Sequence, residues 1–372
     1  MNKDKLKVLH FIRTYGIHGG EKQLIKIVSH LDNDFKSFFL DISQDLKFNS
    51  IKNDNFNYNF LTSLKFKNKS LLLETFILIL FFPYLILKLF LFIKKNKINL
   101  IFCHNFQTAI LSWFLAIFYR KINFLYMHRI YKKKRFWDIF SYFLYFPFKI
   151  LIGNSPSVVN SLFSYKKSDK IFLINNYVEE IKIHKNKYIN FKNKNDNIQI
   201  LTIGRLEKRK NIDFIIKVFN QIDIKNTSLL IAGDGSQKNM LNKLINQLGN
   251  KNIKLLGYRK DIGDLLLNTD IYVHASELEG LSNAVLEAMI SGKPSVVLDS
   301  PGVSDFHQHN VTALIAKKDP LKFGNLLIQL INDAQLRKKL GLNAKKFSIE
   351  NLNFNKTFGE YKKLYIKFSK FI

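Results

Sequence analysis

The chain contains 372 residues, which is more than one ordinary hydrophobic core accommodates and predicts about two domains. Hydrophobic residues make up 47% of the sequence, enough to form a core in each domain. Cys103 is the only cysteine, so the composition excludes an intrachain disulfide.

The net charge of +29 favours an anionic partner, namely nucleic acid, an anionic membrane surface or a phosphorylated ligand. An alternative stays open, because lysine, asparagine, isoleucine and phenylalanine are abundant together, as in proteins encoded by AT-rich genomes. Much of the lysine excess would then be a solvated surface. No basic start followed by an apolar run and a small-residue cleavage site opens the sequence, so we expect a cytoplasmic protein.

The first half of the chain alternates short apolar runs with stretches of helical spacing. A strand predicted at 8–12 is followed by Gly16, Gly19 and Gly20, and apolar residues then recur on one helical face up to Leu31. Further strands are predicted at 38–42, 100–103, 124–127 and 150–153. Strands that alternate with helices are typical of a parallel sheet.

The longest apolar stretch, residues 75–93, requires a test for a membrane span. Its uncharged part ends at Leu87, and Pro83 lies inside it. Because a spanning helix needs roughly 20 apolar residues, a buried or interfacial helix is favoured.

A polar, lysine- and asparagine-rich segment at 178–197 shows no sustained apolar period and predicts a domain boundary. Beyond it, strands are predicted at 198–203, 229–232, 253–256, 271–274 and 295–298, with helices from 212, through 241–248 and over 283–291. We therefore predict an N-terminal domain at 1–178, a linker at 179–197 and a second domain at 198–350. A C-terminal helix at 351–372 is expected to pack back toward the first domain.

The first chemical motif is GRLEKRKN at 204–211. A glycine ends a strand, and Asn211 offers an N-cap for the helix that begins at residue 212. Arg205 and Lys210 then lie on a loop at the carboxyl end of a parallel strand, where open α/β sheets bind ligands. Two fixed cations there suit a diphosphate, and a solvated basic turn is the alternative.

The second motif is ELEGLSNAVLE at 277–287, in which Glu279 and Glu287 flank a strand-to-helix turn. The helix start at 282–284 leaves unpaired N–H groups at a positive dipole end, so a phosphate can dock there without a metal. Glu287 lies about one turn into that helix, within reach of a ribose diol. Glu279 faces the position of a sugar on the phosphate, since carboxylates accept hydrogen bonds from hydroxyls. A pair of surface glutamates is the alternative.

Two weaker signals accompany these motifs. Gly233-Asp234-Gly235 follows a strand and opens a helix, which either brings backbone close to a nucleotide or is only a turn. Tyr258, in the loop after the next strand, could border the base.

The order of these motifs resembles the C-terminal domain of the retaining GT-B glycosyltransferases of glycosyltransferase family 4. The resemblance rests on GRLEKRKN, GDG, ELEGLSNAVLEAM and SGKPSVVLDSPG, and it covers most of the second domain. In the first domain it rests on Gly19-Gly20-Glu21, on His128 after a central strand, and on the loops at 153–155 and 175–176. It implies an α/β fold of the GT-B type, with two Rossmann-like domains facing across a cleft.

The resemblance also implies a role for each matching residue. Arg205 and Lys210 would neutralise the donor diphosphate. Glu287 would hold the ribose, Glu279 would contact the transferred sugar, and His128 would lie near the reacting sugar or serve as a structural histidine. The other residues implied to bind substrate or nucleotide are Gly19, Gly20, Gly204, Gly233, Tyr258, Leu281, Ser282 and Asn283.

A retaining enzyme of this type works by front-face attack, in which the departing diphosphate helps to deprotonate the acceptor hydroxyl. The implied reaction moves a hexose-type sugar from a UDP- or GDP-sugar to a saccharide or lipid-linked acceptor, in bacterial surface polysaccharide or lipopolysaccharide biosynthesis. Because two side-chain cations face the diphosphate, we expect no metal and no other cofactor. Asp305 stands where the family often has glutamate, and the loop at 300–305 is not a close match, which leaves donor selectivity open.

The basic run at 132–135 is followed by Phe136, Trp137 and the apolar stretch 140–148, which suits an anionic membrane surface. We therefore expect peripheral association with the inner face of the cell membrane, and a buried core beside solvated lysines is the alternative. Two other classes stay open, a non-catalytic sugar-nucleotide-binding protein and a nucleic-acid-binding protein. The second lacks an aromatic stacking motif, zinc-ligand spacing and a recognisable helix-turn-helix.

Overall fold

The computed structural model describes residues 5–14, 19–31, 35–42, 56–63, 71–129, 131, 138–179, 198–222 and 224–369. The chain forms two compact units. The first unit combines Met1–Asn176 with Thr357–Ile372, and the second unit is Tyr177–Lys356. The basic run 132–135, the residues Phe136 and Trp137 and, apart from Glu179, the predicted linker lie outside the described residues.

A parallel sheet of seven described strands forms the centre of the first unit. The strands are β1 (Leu6–Ile12), β2 (Phe35–Asp41), β3 (Phe56–Phe60), β4 (Leu100–Cys103), β5 (Asn123–His128), β6 (Ile150–Gly153) and β7 (Ile171–Leu173). Their order across the sheet is β3-β2-β1-β4-β5-β6-β7, so the direction of winding reverses between β1 and β4. The accompanying helices are α1 (Gly19–Ser29), α2 (Leu71–Leu80), α3 (Phe82–Asn96), α4 (Phe106–Phe118), α5 (Asp138–Tyr145) and α6 (Pro156–Leu162).

The second unit has the same plan with six described strands. They are β8 (Ile198–Ile203), β9 (Thr227–Ala232), β10 (Ile253–Gly257), β11 (Ile271–His274), β12 (Ser295–Leu298) and β13 (Leu314–Ala316), in the order β10-β9-β8-β11-β12-β13. The helices are α7 (Ile212–Ile222), α8 (Lys238–Leu248), α9 (Ile262–Leu267), α10 (Asn283–Ile290), α11 (Pro320–Asn332) and α12 (Ala334–Asn351). The winding reverses between the parallel neighbours β8 and β11.

Helices cover both faces of each parallel sheet, so its strands are buried on both sides. Such strands consist mainly of apolar residues, without the alternation of apolar and polar residues seen in half-exposed strands. The central strands β4 (LIFC) and β12 (SVVL) are buried along their whole length. Along β8, Ile200 packs into one apolar cluster and Leu201 into another, because successive side chains point to opposite faces. The second sheet therefore lies between two apolar layers.

The last helix, α13 (Phe354–Ser369), completes the first unit from Thr357 onward. Thr357 Oγ1 donates to Asn175 O at 3.1 Å, and Tyr361, Tyr365 and Phe368 are buried. These contacts join the end of the chain to the sheet with which it begins.

Two features differ from the sequence predictions. The predicted helical stretch 75–93 is divided at Phe81 into α2 and α3, with Pro83 in the first turn of α3, where a missing N–H breaks no hydrogen bond. The strands β3, β7 and β13 were not predicted, and all three lie at sheet edges. Among the helices that the structure describes, none has the length and apolarity to cross a bilayer.

Candidate functional site

Two loops meet where the winding of the second sheet reverses. Loop 204–211 follows β8, and loop 275–282 follows its neighbour β11. Glu277 N donates to Arg209 O at 3.0 Å, and Ser276 Oγ lies 3.2 Å from the same carbonyl oxygen. Because open α/β sheets bind ligands at this point, the two joined loops form the candidate site.

Asn211 does not have the predicted role of a helix cap. Its backbone is left-handed, with φ of 49°, and its side-chain amide donates to Ala275 O at 2.9 Å. Its side-chain oxygen accepts from Lys318 Nζ at 3.4 Å, while its main-chain oxygen accepts from Ile215 N. The Asn211 side chain therefore ties the two loops together instead of capping α7.

The Glu279 carboxylate lies between two cations. Lys210 Nζ and Ser276 Oγ both donate to Oε1, the second at 2.7 Å, and Arg209 Nη1 donates to Oε2 at 2.9 Å. The side chains of Glu279 and Lys210 are each only 10% exposed. Since a buried charge requires a partner, each member of this cluster depends on the others.

Burial and charge act in opposite directions on the Glu279 cluster. Burial alone would raise the pKa of Glu279, but the approach of His274 and the charges of Lys210 and Arg209 outweigh it and hold that pKa well below its usual range. Burial lowers the pKa of Lys210, and Glu279 counteracts this. Burial also acts to lower the pKa of Arg209, but Glu279 and Glu207 raise it overall. The Glu279 carboxylate is therefore ionised at neutral pH.

His274, at the end of β11, lies buried beside this cluster. Its Nδ1 lies 3.1 Å from Tyr272 Oη, and its Nε2 lies 3.4 Å from Ser282 Oγ and 3.9 Å from Glu279 Oε1. Burial lowers the pKa of His274, so the imidazole is neutral and links the strand end to the start of α10. It was not predicted, although a histidine that ends a strand and is separated from ELEG by two residues is a readable signal.

Arg205 lies outside the Glu279 cluster. Its Nη1 pairs with Glu207 Oε1 at 2.8 Å, and its side chain is 66% exposed. The other oxygen of Glu207 accepts from Arg209 Nε at 3.0 Å. Of the two predicted diphosphate ligands, Lys210 is thus buried and Arg205 is exposed. Arg209, which was not predicted, joins the two carboxylates.

The N-terminus of α10 brings the second motif into the site. Leu281 and Ser282 are buried, and Asn283 and Glu287 are half-buried. Ser282 holds the N-cap position without a side-chain capping bond. The pKa of Tyr272 is raised by burial and then by the charges of Glu287 and Glu279.

Two glycines allow the loops after the strands to pack closely. A Cβ at Gly233 would lie 1.8 Å from Gly204 O, and a Cβ at Gly302 would lie 2.3 Å from Gly280 O. Gly302 also has a left-handed backbone, with φ of 73°. Gly233 therefore lets the ends of β8 and β9 approach each other, whereas a Cβ at Gly204 would meet nothing closer than the Lys210 side chain at 3.7 Å. Tyr258, after β10, is exposed.

The predicted residues of the first domain lie at the end of β5 and the start of α1. His128 ends β5, and its Nδ1 lies 3.4 Å from Tyr145 Oη. Gly19 and Gly20 open α1. A Cβ at Gly20 would lie 2.3 Å from Arg129 Nη1, so this glycine makes room for a guanidinium that was not predicted.

Arg129 also orders a chain of buried hydrogen bonds in the first unit. Its Nη2 lies 3.4 Å from His104 Nδ1, His104 Nε2 lies 3.1 Å from His10 Nδ1, and His10 Nε2 lies 3.0 Å from Tyr365 Oη. Because a guanidinium only donates, His104 accepts at Nδ1 and donates from Nε2, and His10 in turn donates to Tyr365. Burial lowers the pKa of His10 to about 3 and that of His104 well below its usual value, so both rings are neutral.

The sequence is similar to those of known glycosyltransferases. Residues 184–347, less than half of the chain, match the family described as glycosyl transferases group 1. An uncharacterized glycosyltransferase of Methanocaldococcus jannaschii is 34% identical over 183 residues, which are 47% of this chain and 46% of the relative. A capsular polysaccharide biosynthesis glycosyltransferase of Staphylococcus aureus is 30% identical over 188 residues, 49% of this chain and 47% of the relative. The chain thus spans about half the length of these relatives.

The fold is shared with solved structures over nearly the whole chain. The Anabaena protein HepE, solved in complex with UDP and glucose, superposes with a TM-score of 0.78 at 16% identity, covering 96% of this chain and 99% of that one. At this identity the similarity shows the fold alone. The superposition confirms the predicted α/β class with two Rossmann-like domains. The segment that matches the group 1 family, residues 184–347, contains both loops of the candidate site.

Proposed function

We propose that the chain is a glycosyltransferase that moves a hexose-type sugar from a nucleotide-sugar donor to a saccharide or lipid-linked acceptor. The observation that carries this proposal is the cluster of Lys210, Arg209 and Glu279, which lies at the switch point of the second sheet and inside the group 1 match. The UDP bound to HepE supports a nucleoside diphosphate as the leaving group, and we propose a UDP- or GDP-sugar as donor.

The donor diphosphate would bind to the cations and peptide N–H groups of the second unit. The two loops carry four cations, Arg205, Lys208, Arg209 and Lys210, against three carboxylates, Glu207, Glu277 and Glu279, so positive charge is in excess before a donor arrives. The N-terminus of α10 adds unpaired N–H groups and a positive dipole end. These groups would stabilise the charge that develops on the leaving diphosphate.

The main role of Glu279 would be to hold Arg209 and Lys210 in place. Both of its oxygens are engaged, Oε1 by Lys210 and Ser276 and Oε2 by Arg209. A carboxylate has about four lone-pair sites, so one remains for a hydroxyl of the transferred sugar. Glu287, half-buried one turn into α10, would accept hydrogen bonds from the ribose.

The remaining predicted residues would serve the base and the acceptor side. Tyr258 is exposed after β10 and would border the base. His128, Gly19 and Gly20 of the first unit would serve the reacting sugar or the acceptor, and the room that Gly20 leaves for Arg129 supports an anionic group near them.

We propose that the transfer retains the anomeric configuration. The acceptor oxygen would bond to the anomeric carbon on the face from which the diphosphate departs, and an oxygen of that diphosphate would take the acceptor proton. Because cations of the protein face the diphosphate, this step would need no divalent metal, and we expect a chelator to leave turnover unchanged.

The biological setting that we propose is the assembly of a bacterial surface polysaccharide or lipopolysaccharide. The capsular polysaccharide function of the S. aureus relative supports it. We further propose that the enzyme works at the inner face of the cell membrane, where a lipid-linked acceptor would be available.

A thermal-shift screen of the full chain against UDP-, GDP- and ADP-sugars tests the donor proposal. A ligand present at 100 times its Kd stabilises the folded state by about 2.7 kcal/mol, so we expect a clear rise in Tm with a UDP- or GDP-sugar. Glu287→Ala should abolish the rise, whereas Glu350→Ala, an exposed glutamate of α12, should leave it unchanged. An unchanged response of Glu287→Ala refutes the ribose assignment, and no rise with any nucleotide sugar refutes the proposed function.

A further inference from the structure

The helices α2 to α5 of the first unit expose an unusual amount of apolar surface. On α3, Leu85 and Leu89 face the core, whereas Tyr84, Leu87 and Leu91 are exposed. A helix at a protein surface normally carries polar residues on its outward side. The helix α3 is apolar on two sides, and the described part of the chain covers only the inner one.

The neighbouring helices α2, α4 and α5 also expose apolar side chains, and ring contacts hold α4 beside α3 and α5 beside α4. The rings of Phe82 on α3 and Phe114 on α4 lie 5.9 Å apart, and those of Trp113 on α4 and Phe143 on α5 lie 4.6 Å apart. We call this surface the α2–α5 face; its exposed apolar residues include Phe76, Leu80, Leu87, Leu91, Phe114 and Phe143. A contiguous exposed patch of this kind marks a protein-interaction or membrane-interaction site.

The charge of this part of the chain identifies the kind of partner. Residues 75–168 contain 14 lysines and arginines, and Asp138 is their only acidic residue. Lys88 Nζ lies 4.8 Å above the ring of Tyr84, and Lys94 Nζ lies 4.8 Å above the ring of Phe90. Each ammonium group thus lies over the face of an aromatic ring, so basic and aromatic groups are interleaved on α3.

We propose that the α2–α5 face inserts into the head-group region of an anionic lipid bilayer, with α3 lying along the membrane surface. The 15 residues of α3 extend over roughly 22 Å, which is shorter than the roughly 30 Å hydrocarbon core. An apolar helix of that length with flanking lysines binds in the interface and does not cross it. The exposed lysines of α3, Lys88, Lys94 and Lys95, then meet the lipid phosphates.

A second copy of the chain fits this face less well. In a symmetric dimer the same patch contacts itself, so basic residues would meet basic residues around an apolar centre. The single acidic residue in 75–168 cannot compensate them. A bilayer with anionic head groups supplies both an apolar layer and the opposite charge. The inference rests on the proposed membrane setting, and it does not depend on the transfer reaction.

Co-flotation of the full chain with vesicles tests the inference without any sugar nucleotide. We expect the protein to float with vesicles of phosphatidylcholine and phosphatidylglycerol, and to bind pure phosphatidylcholine vesicles at least about tenfold more weakly because the lipid phosphates attract its lysines. The variant Leu87→Glu/Leu91→Glu changes two leucines that are each 55% exposed, so its fold should persist. It should lose at least about tenfold in binding to the anionic vesicles. The matched control Leu321→Glu/Leu342→Glu changes two exposed leucines of α11 and α12 in the second unit and should bind like the wild type.

The possible outcomes separate the proposals. If the wild type floats and Leu87→Glu/Leu91→Glu floats equally well, the α2–α5 face is not the docking surface, although membrane association stands. If the wild type floats with neither kind of vesicle, membrane association fails as well. If the wild type is a dimer in sedimentation and Leu87→Glu/Leu91→Glu is a monomer, the face is a protein interface and the inference is overturned. The thermal shift with a nucleotide sugar should be the same in both double variants, which keeps the donor proposal independent.

Discussion

Glu279→Gln tests the charge cluster directly, because it removes one negative charge and keeps the shape of the side chain. In this variant Lys210 and Arg209 would face a neutral amide, with side chains that are 10% and 36% exposed. Removing one partner of a buried ion pair costs about 3–5 kcal/mol, because the other charge stays buried without compensation. Since Arg209 is partly exposed, we expect a loss near the lower limit, about 3 kcal/mol in the unfolding free energy of the second unit.

This loss corresponds to a measurable change in melting temperature. For a unit of the size of Tyr177–Lys356, 1 kcal/mol corresponds to roughly 2–4 °C. We therefore expect the melting transition of the second unit to fall by roughly 6–12 °C in calorimetry of the full chain, with little change in that of the first unit.

The double variant Lys210→Met/Glu279→Gln is the control for the charge argument. It removes both members of the most buried pair, and such replacements are often neutral. We therefore expect the double variant to lose less unfolding free energy than the sum of the losses of Lys210→Met and Glu279→Gln. The difference, which is the coupling energy, should be about 2 kcal/mol. Strict additivity, or a Glu279→Gln transition within about 2 °C of the wild type, would refute the reasoning.

Two further predictions concern the loops and the buried histidines. Gly302→Ala places a methyl group 2.3 Å from Gly280 O at a φ of 73° and should cost about 3 kcal/mol in urea unfolding. Gly292→Ala, with φ of 66° and a nearest atom at 3.6 Å, should cost only about 1 kcal/mol, and equal losses would contradict the steric explanation. Burial keeps the pKa of His10 at about 3 in the folded state against about 6.5 unfolded, so the unfolded chain binds the proton first as the pH falls. The contribution of neutral His10 to the free energy of unfolding is therefore complete above about pH 6.5 and decreases toward pH 3. At pH 5 this free energy is lower by about 2 kcal/mol, so the first unit should melt at a lower temperature at pH 5 than at pH 7. His10→Gln should flatten this dependence, and a first unit equally stable at both pH values would contradict it.

The central strands of both sheets could be predicted closely from the sequence. The predicted strands at 198–203, 271–274 and 295–298 have the bounds of β8, β11 and β12, because a parallel strand buried on both faces appears as a mostly apolar run. The strands that were missed, β3, β7 and β13, lie at sheet edges, where one neighbour holds them in place. Their existence depends on that neighbour more than on their own residues.

The local order of residues also located both loops of the candidate site, since each loop follows a central strand. Sequence spacing could not decide which side chains would meet. Arg205, Arg209 and Lys210 are all cations, but of these three only Arg209 and Lys210 contact Glu279. That choice depends on how loop 204–211 lies against loop 275–282, and these contacts join residues about 70 positions apart. The sequence likewise could not show that His274 is buried or that one side of α3 is exposed, because burial depends on how the elements pack. The sequence by itself determined the apolar runs and the helical spacing; folding decided which charges pair and which apolar surface stays uncovered.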